Sequence, residues 1–249
     1  MIGFPAPHRF ETGVTMDNKL NTYGFGNSAS TVTDVVVRNR VLRNTYWLLA
    51  LSMIPTVLGA WIGVATGFSF MAGSPGLSLI LFLGIAFGFF YGIEKTKNSS
   101  MGVVLLLAFT FFMGLMLSRL IGATLQFSNG PALIMYAFGG TAAVFGTMAT
   151  IATVSKRDFS GLGKFLFVGV ILLILASVAN IWLQLPSLMI TVSVIAIGIF
   201  SAYILFDVQR VVNGGETNYI TATLAIYLDV YNVFVNLLAL LGIFGGSRE

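Results

Sequence analysis

Cysteine is absent from the 249 residues, and histidine occurs once, at His8 in a polar N-terminal stretch. The first absence excludes a disulfide framework, thiolate metal sites and thiol nucleophiles. The second excludes zinc His-Glu-x-x-His helices, bis-histidine haem ligation and serine–histidine proteolysis within a membrane. Charge is scarce as well: 9 % of positions are Asp, Glu, Lys or Arg, about a third of what a soluble globular domain carries. That excludes an ordinary cytosolic enzyme. Lys19, Lys95, Lys97, Lys156 and Lys164 all lie in the tail, in loops or at helix ends, not within a helix where a retinal Schiff base would need one, and there is no P-loop or dinucleotide fingerprint. The residues imply no resident cofactor.

What is present is apolar: 57 % of the chain, enough for up to about seven helices of the roughly 20 residues that cross a bilayer. The blocks run from about Tyr46 to Phe68, Leu77 to Ile93, Met101 to Gly122, Ala132 to Val154, Leu162 to Leu183, Leu188 to Phe206 and Tyr219 to Phe244. Between them lie short turn-forming or charged separators such as Gly73-Ser74-Pro75-Gly76, Lys156-Arg157-Asp158 and Asn213-Gly214-Gly215-Glu216. The fold class that follows is all-α, a polytopic seven-transmembrane-helix bundle in a lipid bilayer. Residues 1–44 hold Pro, Gly, Asn, Ser and Thr without sustained apolar periodicity, so they read as a flexible N-terminal tail, and 45–249 as the seven-helix domain. Nothing in 1–44 matches a cleaved leader.

The net charge of +4 reads as membrane topology and not as a nucleic-acid surface. With the N-terminus inside, eleven of the thirteen Lys and Arg fall on the cytoplasmic side, leaving Arg119 and Arg248 outside. An odd number of spans then puts the C-terminus outside. Small residues at four-residue spacing (Gly84, Gly88 and Gly92; Gly114, Ser118 and Gly122; Gly139, Ala143 and Thr147) are expected to be helix-packing stripes. Arg119, within a turn of its span's outer end, can snorkel to the headgroups.

Two carboxylates stand out. Asp229 lies about ten residues into the last block, on the order of 15 Å along a helix, and an isolated charge there is costly. Ala222, Ala225, Asp229, Asn232 and Asn236 share one small, polar helical face, which would turn into the bundle and put this helix near its centre. Asp207 ends the sixth block. A hairpin through Asn213–Thr217 would let the two aspartates face each other, and in low dielectric they would share one proton near neutral pH. The pair would suit a pH sensor or a ligand for Ca²⁺ or H⁺. Two bland roles stay open: Asp207 as a wetted helix end, and Asp229 bonded to Asn or Tyr. Glu216, just before the last helix, is expected to cap it. Two aspartates also admit an intramembrane aspartyl protease, but no glycine adjoins Asp229 and the surrounding pattern does not resemble that class.

The stretches Leu205-Phe206-Asp207-Val208-Gln209-Arg210-Val211-Val212, Gly214-Gly215-Glu216-Thr217-Asn218-Tyr219-Ile220 and Tyr227-Leu228-Asp229-Val230-Tyr231-Asn232 resemble the signature of the Bax inhibitor-1 family. Val41-Leu42-Arg43-Asn44-Thr45-Tyr46, Ser74-Pro75-Gly76-Leu77 and Ala179–Pro186 are similar to its bacterial inner-membrane branch, which includes a modulator of the FtsH protease. The resemblance covers residue 41 to the end. It implies a non-enzymatic seven-helix bundle with the last helix central and Asp207 and Asp229 as a pH-sensitive latch in a calcium leak pathway. The family's leak members set an arginine of the second helix against the pair; here the second block has none, and Arg210, one turn beyond Asp207, is the available counter-charge. Two functions are therefore expected: a pH-sensitive Ca²⁺ leak channel, with Arg210, Glu216, Asn232 and Asn236 supporting the pair, or a partner of a membrane-bound AAA quality-control protease without ion transport.

Overall fold

A computed structural model describes residues 26–68 and 75–246, with side chains from 36 and 76 onward in the two segments. Seven helices follow in order: α1 Gly26–Ala65, α2 Pro75–Thr96, α3 Ser100–Thr124, α4 Gly130–Val154, α5 Leu162–Leu183, α6 Pro186–Val212 and α7 Tyr219–Gly245. No strand occurs among the described residues, and all seven helices are long and apolar enough to cross a membrane. Prolines sit at the first turns of α4 and α6, where the missing N–H has no helical partner to lose. Pro55 inside α1 instead removes one helical hydrogen bond.

Helix ends agree with the apolar blocks to within a few residues except at two places. First, α1 begins at Gly26, inside the stretch assigned to a tail, and residues 1–25 lie outside the described residues. The boundary at residue 44 marks where apolarity begins, whereas the last turn before it is already part of the bundle: Val41 and Leu42 pack on Val211 and Ala222. Second, α6 continues past Phe206 to Val212. That extension sinks Asp207 below the helix end, where it can meet Asp229.

α7 is the axis of the bundle. It packs against α1, α2, α3, α4 and α6, and no residue from Tyr219 to Gly242 is exposed. Around it Ile93, Leu106, Phe109, Ile204, Ile226 and Tyr227 form a fully buried core. α5 packs on α6 at the periphery.

The small-residue stripes divide into packed and unpacked. Gly114 and Ser118 of α3 meet Gly59 and Gly63 of α1 at close range: a Cβ on Gly114 would lie 2.1 Å from the Thr56 carbonyl oxygen, and one on Gly59 2.2 Å from that of Phe111. Close backbone approach is how helices gain contact in lipid, where hydrophobic association is weak. The other two stripes depart from the expectation except at Gly92, where a Cβ would lie 3.2 Å from the Leu105 side chain. Gly84 and Gly88 face outward with open space beside them, and Gly139, Ala143 and Thr147 are all exposed. Four-residue spacing marks a smooth helix face, but does not say whether a neighbour lies on it.

The loops sort onto two faces. On one, the Asn218 Nδ2 donates to the Lys97 carbonyl at 2.9 Å, and the Gln209 Nε2 to that of Arg157 at 2.7 Å. On the other, the Asn129 Nδ2 donates to the carbonyl of Gly245. Lys95, Lys97, Lys156, Arg157 and Arg210 thus share one basic face. Arg119 is exposed on α3, five residues before its end, where snorkelling to the opposite headgroups is open to it.

Candidate functional site: a carboxylate pair between α6 and α7

The turn between α6 and α7 is closed by its own backbone and one ion pair. The N–H groups of Gly215 and Glu216 both donate to the carbonyl of Arg210, at 2.8 and 3.1 Å. Gly214 takes φ +77°, the left-handed conformation a glycine adopts without strain. Across this turn the Arg210 guanidinium meets Glu216 at 3.3 Å.

Glu216 does not cap α7, contrary to expectation. Asn218 does: its side-chain oxygen accepts from the N–H groups of Ile220 and Thr221, at 2.9 and 3.3 Å. Asparagine is short enough to fold back onto its own helix's first turn, whereas Glu216, two residues earlier, accepts the Asn218 N–H at 2.9 Å. The amide of Asn218 also reaches Asn98, so one residue ties the α6–α7 turn to the α2–α3 turn. On the other flank Gln209, 4 % exposed, accepts from the Phe159 N–H at 2.7 Å and donates to Arg157. α6 is therefore held on both sides of Asp207.

So fixed, the hairpin brings Asp207 against Asp229, the two carboxyl groups lying within side-chain hydrogen-bonding reach. Asp229 is 5 % exposed, and its Oδ2 has no hydrogen-bond partner. A hydrogen bond between two carboxyl groups needs a proton on one of them, since an ionised carboxylate only accepts. Arg210 and Glu216 both act electrostatically on Asp207, and Tyr203 lies beside both aspartates. Arg210 thus acts on Asp207, but its direct partner is Glu216.

Asn232 and Asn236, the supporting amides, are half-buried and donate to carbonyls of their own helix, Leu228 and Asn232, both at 2.8 Å. Asn236 also borders a cavity of about 190 Å³ with Ser177, Asn180 and Ser193. Among the described residues no group of three or more His, Cys, Asp or Glu comes together. Two carboxylates supply only part of the roughly six to eight oxygens that hold Ca²⁺.

Sequence reasoning missed the polar knot at the centre of the bundle. The Tyr227 hydroxyl and Thr56 Oγ1 are 2.9 Å apart, and Thr56 also reaches the carbonyls of Ser52 and Thr110, at 2.9 and 3.2 Å. Tyr231 donates to the Met113 carbonyl at 3.1 Å. The available signal was two tyrosines four residues apart in an apolar helix, on a different face from Asp229.

A bundle of six apolar helices packed with a central seventh, with a buried and a half-buried carboxyl group facing each other between the last two, defines an integral membrane protein with an intramembrane acidic pair. Residues 38–246 match the family model described as "Inhibitor of apoptosis-promoting Bax1". The chain belongs to the Bax inhibitor-1 family. It is 38 % identical over 210 residues to the Escherichia coli protein named "Modulator of FtsH protease YccA", covering 84 % of this chain and 93 % of that one. It is also 38 % identical over 208 residues to an uncharacterized protein of Neisseria meningitidis, covering 83 % and 92 %. An uncharacterized membrane protein of Vibrio cholerae matches at 35 % over 228 residues, covering 92 % and 100 %. A protein of another Escherichia coli strain, matched at 38 % over 210 residues, is named "Inner membrane protein YccA"; this chain is a multi-pass membrane protein of that kind.

Proposed function

We propose that this chain is a non-enzymatic modulator of a membrane-bound AAA protease of the FtsH type, acting within the inner membrane with its basic face toward the cytoplasm. The observation that carries this reading is the similarity to a named FtsH modulator over nearly the whole length of that protein. The geometry is compatible with it: the core around Tyr227 and Phe109 is tightly buried, and Asp229 is buried within it. The test is the half-life of a membrane substrate of the protease in cells with and without this chain. The expected result is slower degradation when the chain is present; an unchanged half-life at equal protease levels overturns the reading. Deleting residues 1–25, which precede α1, then separates an interaction through that segment from one through the helices.

A second reading, a pH-sensitive Ca²⁺ leak, is favoured by one specific observation, the contact of Asp207 with Asp229. A pair sharing a proton would change charge with pH and could alter passage of a hard cation. Ca²⁺ flux into liposomes, scanned from about pH 5 to 8, is expected to be pH-dependent under this reading and to lose that dependence in Asp229→Asn. No flux at any pH overturns it.

A further inference from the structure

An open groove of about 1160 Å³ lies between α1 and α4, floored by α3 and α7. It extends from Tyr46 to Val64 along α1 and from Ile134 to Val154 along α4, about 30 Å, which is the thickness of a bilayer's hydrocarbon core. The lining is almost wholly apolar, and the α4 wall is smooth: beside Gly139 and Gly146 there is open space.

Toward the basic face the groove is bridged. The Tyr46 ring meets Phe145 edge-on at 6.1 Å. A helix about 10 Å across would not pass this strap without displacing it, whereas a flexible hydrocarbon chain would. Two cations flank the same end. Arg43 lies one turn before Tyr46 on α1, and Lys156 two residues beyond Val154; both are exposed, and neither is ion-paired among the described residues. The nearest acid in sequence, Asp158, is occupied by the N–H and hydroxyl of Ser160, each at 2.9 Å.

We propose that this groove is a binding site for an anionic phospholipid, with acyl chains along α1 and α4 and the phosphate between Arg43 and Lys156. Basic residues at the membrane surface beside a gap between helices are the arrangement that recognises such headgroups. The inference does not depend on the protease or leak readings.

The experiment is native mass spectrometry of the full-length protein in detergent with equimolar phosphatidylglycerol and phosphatidylcholine. Wild-type protein is expected to retain phosphatidylglycerol preferentially, and Arg43→Gln and Lys156→Gln should each weaken that preference about fivefold. Lys95→Gln, on the same face but away from the groove, should leave it unchanged. Gly146→Leu, whose side chain would project into open space, should reduce retention of both lipids. Equal retention of the two lipids by wild type overturns the proposal, as does an unchanged preference in the Arg43→Gln/Lys156→Gln protein. A photo-crosslinker at Gly146 in native membranes supplies an independent readout: lipid adducts support the proposal, and a protein adduct assigns the groove to a partner's helix instead.

Discussion

The hydroxyl of Thr56 has one proton and three oxygens around it, and that imbalance fixes the direction of the hydrogen bonds at the centre of the bundle. Thr56 donates to a carbonyl of Ser52 or Thr110, so the Tyr227 hydroxyl donates to Thr56. Its other acceptor, the Thr110 carbonyl, lies at 3.5 Å and is a poor one. The two partners are therefore not equivalent. Tyr227→Phe removes a donor and leaves Thr56 bonded to carbonyls, so it should cost about 0.5–1 kcal/mol. Thr56→Val leaves a buried phenol without its good acceptor, which should cost about 1–3 kcal/mol. The double variant should cost no more than Thr56→Val alone, because the orphaned hydroxyl is gone. Equilibrium unfolding in mixed micelles measures all three, and equal costs for the two single variants would contradict this assignment of donors. A titrating group outside the membrane offers a second check. The Ser160 N–H and hydroxyl hold the Asp158 carboxyl below its ordinary range. Any stability this carboxylate adds is present above the unfolded-state value and fades as pH falls through the depressed folded-state value. Ser160→Ala should raise the Asp158 titration midpoint toward that of a free aspartate, read by NMR of a carboxyl-labelled sample.

Pairs of helices show how differently equal-looking glycines behave. Gly114 has no room for a Cβ, because the Thr56 carbonyl already occupies that position. Gly114→Val should therefore push α1 and α3 apart and cost about 3 kcal/mol or more, whereas Gly84→Ala, with nothing within 4 Å, should fall within about 0.5 kcal/mol of wild type. Thermal unfolding of the two variants tests the contrast; comparable losses would mean that α2 has a neighbour along Gly84. The number and order of the helices and most of their ends, though not the end of α6 at Val212, were legible in the sequence because apolar length is nearly all that a bilayer demands. The Asp207–Asp229 pair was legible because a carboxylate in lipid has few permitted surroundings. The start of α1 was not, since residues 26–44 carry polar side chains that a helix emerging from the membrane tolerates as readily as a loop does. Nor were the groove and the Asn218 cap: a stripe of small residues looks the same packed or bare, and Glu216 and Asn218 both suit a helix N-terminus by type alone.

At the scale of the whole molecule, the cations decide how it sits. Lys97, Arg157 and Arg210 belong to turns that are hydrogen-bonded into one face or ion-paired upon it, while the opposite face is tied by Asn129 and Gly245. Short loops rich in Lys and Arg stay in the cytoplasm because moving them across an energised membrane is opposed by the insertion process. The basic face is therefore expected to be cytoplasmic, and the turn between α3 and α4 outside. The absence of cysteine makes this simple to test, since any introduced thiol is the sole one. Asn98→Cys and Lys156→Cys place a thiol at exposed positions on the basic face, and Gln126→Cys places one at an exposed position on the other. In intact cells with a permeable outer membrane, a maleimide that does not cross the inner membrane should label Gln126→Cys alone. Disruption of the membrane should then expose the other two. The same variants test the bundle as well as its orientation: labelling of Asn98→Cys and Gln126→Cys from one side would require α3, which lies between them, not to span the bilayer. Such a result would overturn the seven-span arrangement itself, because each later helix would reverse direction.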